Sequence, residues 1–302
     1  MNGLLLIDKP QGLTSHDVVS RIRRICKTRK VGHAGTLDPL ATGVLPVAIG
    51  TGTKVLQFLL VVDKSYRATL RLGVSTDTLD SEGTEIDRRE LPTDCEARLQ
   101  QIVRKFLGTI QQVPPMYSAL KKDGVPLYKL ARQGQTVERE ARTVDISRLD
   151  IVSIDLPDVV IEVDCSKGTY IRTLAQDIGD AVGCGAHIVA LRRLRSGPFV
   201  IDDCVTLESL ADQSTDTKAG FLSIEQSLAF YPAVNLSVAA AKSLSFGVPP
   251  LMSDVVVDQE LASGRLVRLM DADRLVAMAR YAPQRHREKR GDFELVRVFH
   301  GA

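Results

Sequence analysis

The segment best suited to chemistry is a glycine-rich loop that carries an aspartate and a histidine. It reads Gly32-His33-Ala34-Gly35-Thr36-Leu37-Asp38-Pro39-Leu40-Ala41-Thr42-Gly43. Pro39 disfavours the helical region for the residue before it, which predicts an extended or turn geometry for Asp38. Its glycines let the backbone approach a ligand closely. A carboxylate held in a rigid loop, five residues after His33, fits a preorganised site, although an ordinary Asx turn fits the same composition.

A second unusual feature is a cation at the start of a predicted helix. A strand at 159–163 leads through a Lys-Gly turn into a helix that ends at Gly183. Arg172 falls in the first turn of this helix, where the macrodipole disfavours positive charge. From this position the side chains of Tyr170 and Arg172 can enter a cleft. Arg172 either faces solvent or pairs with a buried carboxylate. An ion pair would offset both the unfavourable helix macrodipole and the cost of burying the charge.

Other familiar binding and catalytic motifs are incomplete or absent in the sequence. The run from Gly50 to Lys54 lacks the Gly-Lys-Ser/Thr ending of a phosphate loop, and Val55 stands where a dinucleotide fingerprint needs glycine. The five histidines are scattered, without the spacing of a metal site. No Gly-x-Ser-x-Gly elbow is present. We therefore expect no metal and no nucleotide cofactor.

The elements that must position these residues follow from hydrophobic periodicity. A buried strand is predicted at 4–7, and Thr14 with Asp17 predicts the capped start of a helix. Residues 66–72 alternate, with Tyr66 on the apolar face of a half-buried strand. A helix follows at 95–107. Strands and helices do not alternate regularly enough for a doubly wound parallel sheet, which favours the α+β class.

Beyond Tyr231-Pro232 the sequence changes to short β-like runs, which places a domain boundary near residue 232. The charge is also uneven. The net charge of +2 comprises +5 over residues 1–54, −7 over 55–264 and +4 over 265–302. Basic ends predict positive patches that could meet a polyanion, although solvated helix faces explain such runs equally well.

Composition places the chain among globular enzymes. It has 302 residues, 44% hydrophobic and 25% charged, which suggests about two domains. The longest apolar stretch, 55–62, is far too short to span a membrane. The five cysteines contain no CxxC pair, which favours reduced thiols in a cytoplasmic protein.

Several blocks in order resemble the TruB-type tRNA pseudouridine synthases. The blocks are Asp8-Lys9-Pro10 through Ser15, Gly32 through Pro39, Tyr66-Arg67 with Leu72-Gly73 and Thr76 through Asp80, the insertion around Pro114-Pro115-Met116-Tyr117, and Cys165 through Leu174 continuing to Leu194. They cover most of residues 1–231. The resemblance implies a mixed, largely antiparallel central sheet in a catalytic domain (1–231) with a thumb-like RNA-binding insertion (about 111–142). Residues 232–302 resemble, more loosely, a small β-rich RNA-binding PUA domain.

The resemblance also implies an activity and residue roles. The family isomerises the uridine at position 55, in the T loop of tRNA, to pseudouridine without cofactor or metal. The resemblance makes Asp38 the catalytic aspartate and assigns Tyr66 to stacking on the base and proton transfer. Because Asp38 must be ionised, pairing with Arg172 would lower its pKa and orient it. The remaining implied site residues bind or shape the RNA: His33 fills the vacated space in the loop, Tyr170 and Leu191 line the pocket, and Lys9, Lys54 and Asp80 lie near the site or the RNA.

Two other functions fit the same residues. One is a tRNA-folding factor in which catalysis is secondary, and the other is a guide-RNA-dependent rRNA pseudouridine synthase that requires protein partners. The presence of both Asp38 and Arg172 favours chemistry. We expect a cytoplasmic monomer that acts on the T arm of tRNA, with no membrane association and no obligatory protein partner.

Overall fold

The computed structural model describes residues 1–212, 219–284 and 291–299. Helices pack against a large mixed sheet, and a smaller sheet follows it in the chain. The α+β class predicted from the sequence is confirmed. In this part of the chain no helix is long and apolar enough to cross a membrane.

Strands and helices are numbered along the chain. The strands are β1 Gly3–Lys9, β2 Val31–His33, β3 Thr42–Ile49, β4 Lys64–Leu72, β5 Val74–Thr76, β6 Glu85–Arg88, β7 Gly108–Gln112, β8 Lys121–Lys122, β9 Val125–Pro126, β10 Arg142–Asp155, β11 Asp158–Cys165, β12 Ala186–Ser196, β13 Phe199–Val200, β14 Phe221–Leu222, β15 Ala233–Leu236, β16 Val255–Val257, β17 Leu266–Asp271, β18 Arg274–Tyr281 and β19 Phe293–Val298. The α-helices are α1 Ser15–Ile25, α2 Leu56–Leu59, α3 Cys95–Val103, α4 Leu127–Arg132, α5 Ile171–Val182, α6 Leu207–Ala211, α7 Ile224–Ser227 and α8 Val238–Ser245, and short 3₁₀ turns lie at Gly50–Val55, Arg104–Phe106, Ile201–Asp203 and Met252–Asp254.

The large sheet has the order β14-β1-β3-β12-β4-β11-β10-β7. Neighbouring strands in this order are antiparallel except β3 and β12, which are parallel. β4 lies between β11 and β12, and its buried positions alternate as the sequence predicts, with Tyr66, Ala68, Leu70 and Leu72 inside. Because side chains alternate along a strand, Tyr66 lies at the centre of the sheet on the same face as Ala68 and Leu70.

Capping residues define the start of α1 and the end of α5, the two helices beside the site. Thr14 caps α1 through a complete capping box with Asp17. α5 buries Leu174, Ala175 and Ile178 in the core, and it ends at Gly183 with φ of 103°. Only glycine adopts this left-handed conformation at no steric cost, which explains the end of the helix.

The insertion, residues 113–141, joins two neighbouring antiparallel strands. β7 and β10 pair from Gln112 with Arg142 onwards, so the chain leaves the sheet edge and returns to it. The excursion contains β8, β9 and α4, and most of its side chains are at least partly exposed. This segment is therefore largely a surface excursion from the edge of the sheet.

The smaller sheet has the order β16-β15-β17-β18-β19. The chain passes from one sheet to the other between β14 and β15, near residue 232. One hydrophobic cluster nevertheless joins both sheets, because Leu4 and Phe58 pack with Met270 and Met278. The Tyr231 hydroxyl also donates to the Phe58 carbonyl oxygen at 2.9 Å. The smaller sheet thus closes part of the core of the larger one.

One predicted feature lies outside the described residues. The C-terminal basic cluster comprises Arg280, Arg285, Arg287, Lys289 and Arg290, and all but Arg280 fall in the segment 285–290. The five cysteines are all described and all free.

Candidate active site

Five of the sequence-predicted residues line one pocket on the face of the large sheet. They are Asp38, Tyr66, Tyr170, Arg172 and Leu191. The cavity measures about 260 Å³, close to the lower limit of about 300 Å³ for small-molecule sites. It therefore admits a single small ring system rather than a stacked stretch of nucleic acid.

Asp38 is carried by the loop between β2 and β3, and the loop is fixed by hydrogen bonds to the start of α1. The Ser15 hydroxyl accepts from the Leu37 N–H at 2.9 Å. The Gly12 N–H donates to the Pro39 carbonyl oxygen at 2.8 Å. Because both neighbours of Asp38 are anchored, its carboxylate is held in place before any ligand arrives.

Arg172 is the principal partner of Asp38. Its Nε lies 3.0 Å from Asp38 Oδ2, and its side chain is only 5% exposed. Its Nη1 donates to the Thr78 carbonyl oxygen at 2.8 Å, and its Nη2 donates to the Tyr117 carbonyl oxygen at 2.7 Å. The guanidinium fork is thereby locked from three directions, so the cation at the start of α5 is buried and paired.

Asp80 is the second acid at this guanidinium. Its Oδ2 lies 3.6 Å from Arg172 Nη1, and its side chain is 5% exposed. The Thr78 hydroxyl donates to Asp80 Oδ1 at 2.6 Å, which fixes the carboxylate. Asp80 is absent from the pocket lining, but it holds Arg172 and its negative charge acts on Asp38.

Arg172 lowers the pKa of Asp38, as expected, but the net shift of this pKa is upward. Burial of the carboxyl is the largest influence and raises its pKa, and the negative charge of Asp80 raises it further. Arg172 opposes both effects but does not outweigh them. The side chain remains 39% exposed where it faces the pocket. Arg172 therefore orients Asp38 and limits the rise rather than producing a pKa below the ordinary value.

Tyr66 and Leu191 come from the two paired strands β4 and β12. Tyr66 is opposite Arg193, and Leu191 is opposite Ala68. Both pocket residues are buried. Burial raises the pKa of the Tyr66 hydroxyl, while Arg193 lowers it through a hydrogen bond and its charge. Tyr66 therefore keeps its proton at neutral pH and presents a flat ring beside the carboxylate.

Tyr170 immediately precedes α5 and is tied to the edge of the sheet. Its N–H donates to Gln112 Oε1 at 2.7 Å, and Gln112 Nε2 donates back to its carbonyl oxygen at 3.0 Å. Burial raises the pKa of its hydroxyl. The insertion completes this wall of the pocket through Ser118 and Ala119.

The structure does not bring His33, Lys9 and Lys54 into the pocket lining. His33 lies in β2 with its ring edge-on to His16 at 5.4 Å, and burial lowers its pKa. The buried Lys9 ammonium donates to the Ala41 carbonyl oxygen at 2.6 Å, which supports the Asp38 loop from behind. Lys54 lies 6.0 Å from the centre of the Phe299 ring, against the smaller sheet.

Sequence reasoning missed two cations in the pocket wall, Lys64 and Arg193. A usable signal existed for Lys64, because it has the same parity in β4 as Tyr66 and Ala68 and so belongs to the apolar face. Arg193 has the same parity in β12 as Leu191. A charged residue at a buried strand position is itself a sign of function or pairing.

The described residues contain no group of three or more histidine, cysteine or acidic side chains arranged to hold a metal ion. A fixed carboxylate, a protonated phenol and a locked guanidinium suit nucleophilic or proton-transfer chemistry on a flat ring.

Two protein-family models together match residues 23–228 of the chain. Residues 23–171 match the TruB family pseudouridylate synthase N-terminal domain, and residues 172–228 match the tRNA pseudouridylate synthase B C-terminal domain. Among curated proteins, tRNA pseudouridine synthase B of Syntrophotalea carbinolica is 50% identical over 302 residues, covering 99% of this chain and 98% of its own. The protein of the same name from Burkholderia mallei is 49% identical over 282 residues, covering 93% of each chain.

Solved structures show the same fold. A Cbf5-Nop10-Gar1 complex contains a chain that is 30% identical, with a TM-score of 0.77, covering 99% of this chain and 85% of that one. An archaeal box H/ACA sRNP Nop10-Cbf5 complex gives 29% identity and a TM-score of 0.75, covering 99% of this chain and 86% of that one. The expected mixed, largely antiparallel sheet is confirmed.

Proposed function

Because the chain belongs to the TruB family of pseudouridylate synthases, we propose that it isomerises the uridine at position 55, in the T loop of tRNA, to pseudouridine, with Asp38 as the catalytic carboxylate. The observation that carries this proposal is the 3.0 Å contact between Asp38 Oδ2 and Arg172 Nε inside a pocket lined by Tyr66. An RNA-binding module without chemistry has no need for a partly desolvated, ion-paired carboxylate in such a cleft.

The reaction rearranges one base without loss of atoms. The bond from C1′ of the ribose to N1 breaks, a bond from C1′ to C5 forms, the proton on C5 leaves and N1 gains a proton. Asp38 serves as a nucleophile at C1′, as a nucleophile at C6, or as the base that removes the C2′ proton in an elimination. Each route starts from the ionised carboxylate, which Arg172 orients.

The uridine must leave the stacked loop to reach Asp38, at a cost of a few kcal/mol. Tyr66 offsets part of this cost by stacking on the base, worth about 1–3 kcal/mol. Leu191 and Tyr170 enclose the base from the other sides, and His33 fills the space vacated in the RNA loop. Because burial lowers the pKa of His33, its neutral ring suits insertion among bases.

The remaining residues support binding. Lys9 braces the Asp38 loop, Asp80 holds Arg172, and Lys54 contributes positive charge near the smaller sheet. We divide the chain into a catalytic domain, 1–231, with the thumb-like insertion, and a PUA-like RNA-binding domain, 232–302. The protein acts as a cytoplasmic monomer on the T arm without an obligatory protein partner or cofactor.

A standard assay separates this proposal from its rivals. The purified chain alone releases tritium from a T-arm hairpin labelled at C5 of uridine. A hairpin with cytidine at the target position is the control and releases none. A guide-RNA-dependent enzyme is silent until guide RNA and protein partners are added, and a folding factor with secondary catalysis releases tritium far more slowly than it anneals the tRNA.

Tyr66→Phe should lower the single-turnover rate by about 10²-fold, within the range for a proton-transfer group. The ring that stacks on the base remains, so RNA affinity should change little. Rapid-mixing tritium release and filter binding measure the two quantities. An unchanged rate would leave Tyr66 with stacking alone.

The rate should rise with pH as Asp38 loses its proton. Because burial and Asp80 raise the pKa of Asp38, the midpoint should lie above the ordinary value of about 3.9. Asp80→Asn removes a negative charge that raises this pKa, so its midpoint should move to lower pH. Single-turnover rates between about pH 4 and 8 test this, and a midpoint that stays or rises in Asp80→Asn contradicts it.

A further inference from the structure

Two buried cations line the pocket without contacting Asp38. Lys64 is 7% exposed and Arg193 is 1% exposed. Both contribute to the same pocket wall as Tyr66. They differ from Arg172, which meets Asp38 and Asp80.

Neither cation has a carboxylate within 4 Å among residues 1–212, 219–284 and 291–299. Lys64 Nζ donates to the carbonyl oxygens of Leu60 and Val62. Arg193 Nε donates to the Val44 carbonyl oxygen at 2.6 Å, and its Nη2 donates to the Gly35 carbonyl oxygen at 3.3 Å. An ammonium group has three donors, so these contacts leave Lys64 with one unused hydrogen and no counter-charge.

Such a cation is costly in the free protein. Burial, together with the nearby positive charges of Arg193 and Lys167, lowers the pKa of Lys64 to about 8. Asp63, which is exposed, acts in the opposite direction without an ion pair. The local field is therefore positive, and an arriving anion would relieve it.

The position of Lys64 indicates which anion it meets. Lys64 and Tyr66 lie on the same face of β4, two residues and about 7 Å apart along the strand. Lys64 pairs across the sheet with Cys165, directly before the pocket-lining Ser166. A base stacked on Tyr66 therefore has Lys64 at a separation on the scale of one nucleotide.

We propose that Lys64, assisted by Arg193, binds the phosphodiester group adjacent to the flipped uridine, so that the RNA backbone supplies the missing anion. This inference rests on the proposed function. A phosphodiester carries a full negative charge in the ground state, whereas uracil is neutral. Lysine, a compact point charge, suits a phosphate oxygen, and the positive charge of Arg193 adds to the attraction.

The first test removes the charge while keeping the length of the side chain. Lys64→Met should raise the Kd for a T-arm hairpin about ten-fold, the scale of a hydrogen bond to a charged group. It should also reduce the slope of log Kd against log salt by about 0.7. Lys64→Arg should restore most of the affinity and most of the salt slope. Arg67→Met is the matched control, because Arg67 lies on the opposite face of β4 and pairs with Glu162.

The second test identifies the phosphate. Hairpins with a neutral methylphosphonate 5′ or 3′ to the target uridine should bind the unaltered protein about ten-fold more weakly at one of the two linkages. Lys64→Met should show no further loss at that linkage. An equal loss in both proteins, or an unchanged salt slope in a Lys64→Met protein that melts normally, overturns the assignment. Tritium release by the unaltered protein from the ordinary hairpin tests the proposed function separately.

Discussion

Asp38→Asn should abolish tritium release from tRNA labelled at C5 of uridine. The amide keeps the shape of the side chain but cannot act as a nucleophile or accept a proton from C2′. We expect the single-turnover rate to fall by about 10³-fold or more, which corresponds to at least about 4 kcal/mol of transition-state stabilisation. The loop that carries Asp38 is fixed by Ser15 and Gly12, so its position should survive the change.

Two comparisons make the Asp38 result specific. The Kd of Asp38→Asn for tRNA should stay within about three-fold of the unaltered value, because affinity comes mainly from phosphate contacts. Asp158→Asn removes a carboxylate that pairs with Arg71, away from the pocket, and should keep full activity. Near-normal turnover by Asp38→Asn would remove the catalytic assignment.

Arg172→Met should have the second largest effect, on both stability and rate. It leaves Asp38 and Asp80 without the guanidinium between them, and it leaves the carbonyl oxygens of Thr78 and Tyr117 without a donor. Removing one partner of a buried pair costs about 3–5 kcal/mol. The loss of the positive charge should also raise the pKa of Asp38 further, so activity at neutral pH should fall by at least about 10²-fold.

Arg172→Lys separates charge from geometry. One ammonium cannot reproduce the fork that meets four groups, so this variant should recover part of the stability and little of the rate. Arg148→Lys is the control, because Arg148 is a half-exposed cation that also contacts three carboxylates: Asp150, Glu162 and Asp164. Thermal melting and single-turnover assays measure both effects. Full activity in Arg172→Lys would show that the fork is dispensable.

The pairing of Asp38 with Arg172, 134 positions apart, could be predicted because each residue breaks a local preference. A carboxylate before proline is conformationally restricted, and a cation in the first turn of a helix opposes the macrodipole. The 3.0 Å contact accounts for the cation at the start of α5, and the restricted backbone of Asp38 helps to hold the carboxylate in place. The same local rules predicted the Thr14 cap of α1 and the alternation of β4.

Long-range packing and electrostatic balance could not be predicted in this way. The parallel pairing of β3 with β12, which brings Arg193 beside Gly43, is a property of the whole sheet. The sign of the Asp38 pKa shift depends on how burial and Asp80 compare with Arg172, and spacing along the chain does not contain that comparison. Lys54, which the resemblance places near the site or the RNA, lies beside Phe299 and outside the pocket lining.

The packing of the smaller sheet against the larger one was also not predictable from the sequence pattern. The change in pattern near residue 232 matches the change from one sheet to the other. It did not indicate that Met270 and Met278 would share a hydrophobic cluster with Leu4 and Phe58. Deleting residues 232–302 would therefore expose apolar core, so the contribution of this segment to RNA binding is better measured by single substitutions on its surface.

Mapping pseudouridine in full-length tRNA incubated with the purified protein tests the central claim most directly. With no guide RNA or partner protein added, we expect conversion of uridine 55 in the T loop and of no other uridine. The Asp38→Asn protein, carried through the same reaction, should leave that position unmodified. Conversion at a different uridine, or no conversion until a guide RNA is supplied, would contradict the account.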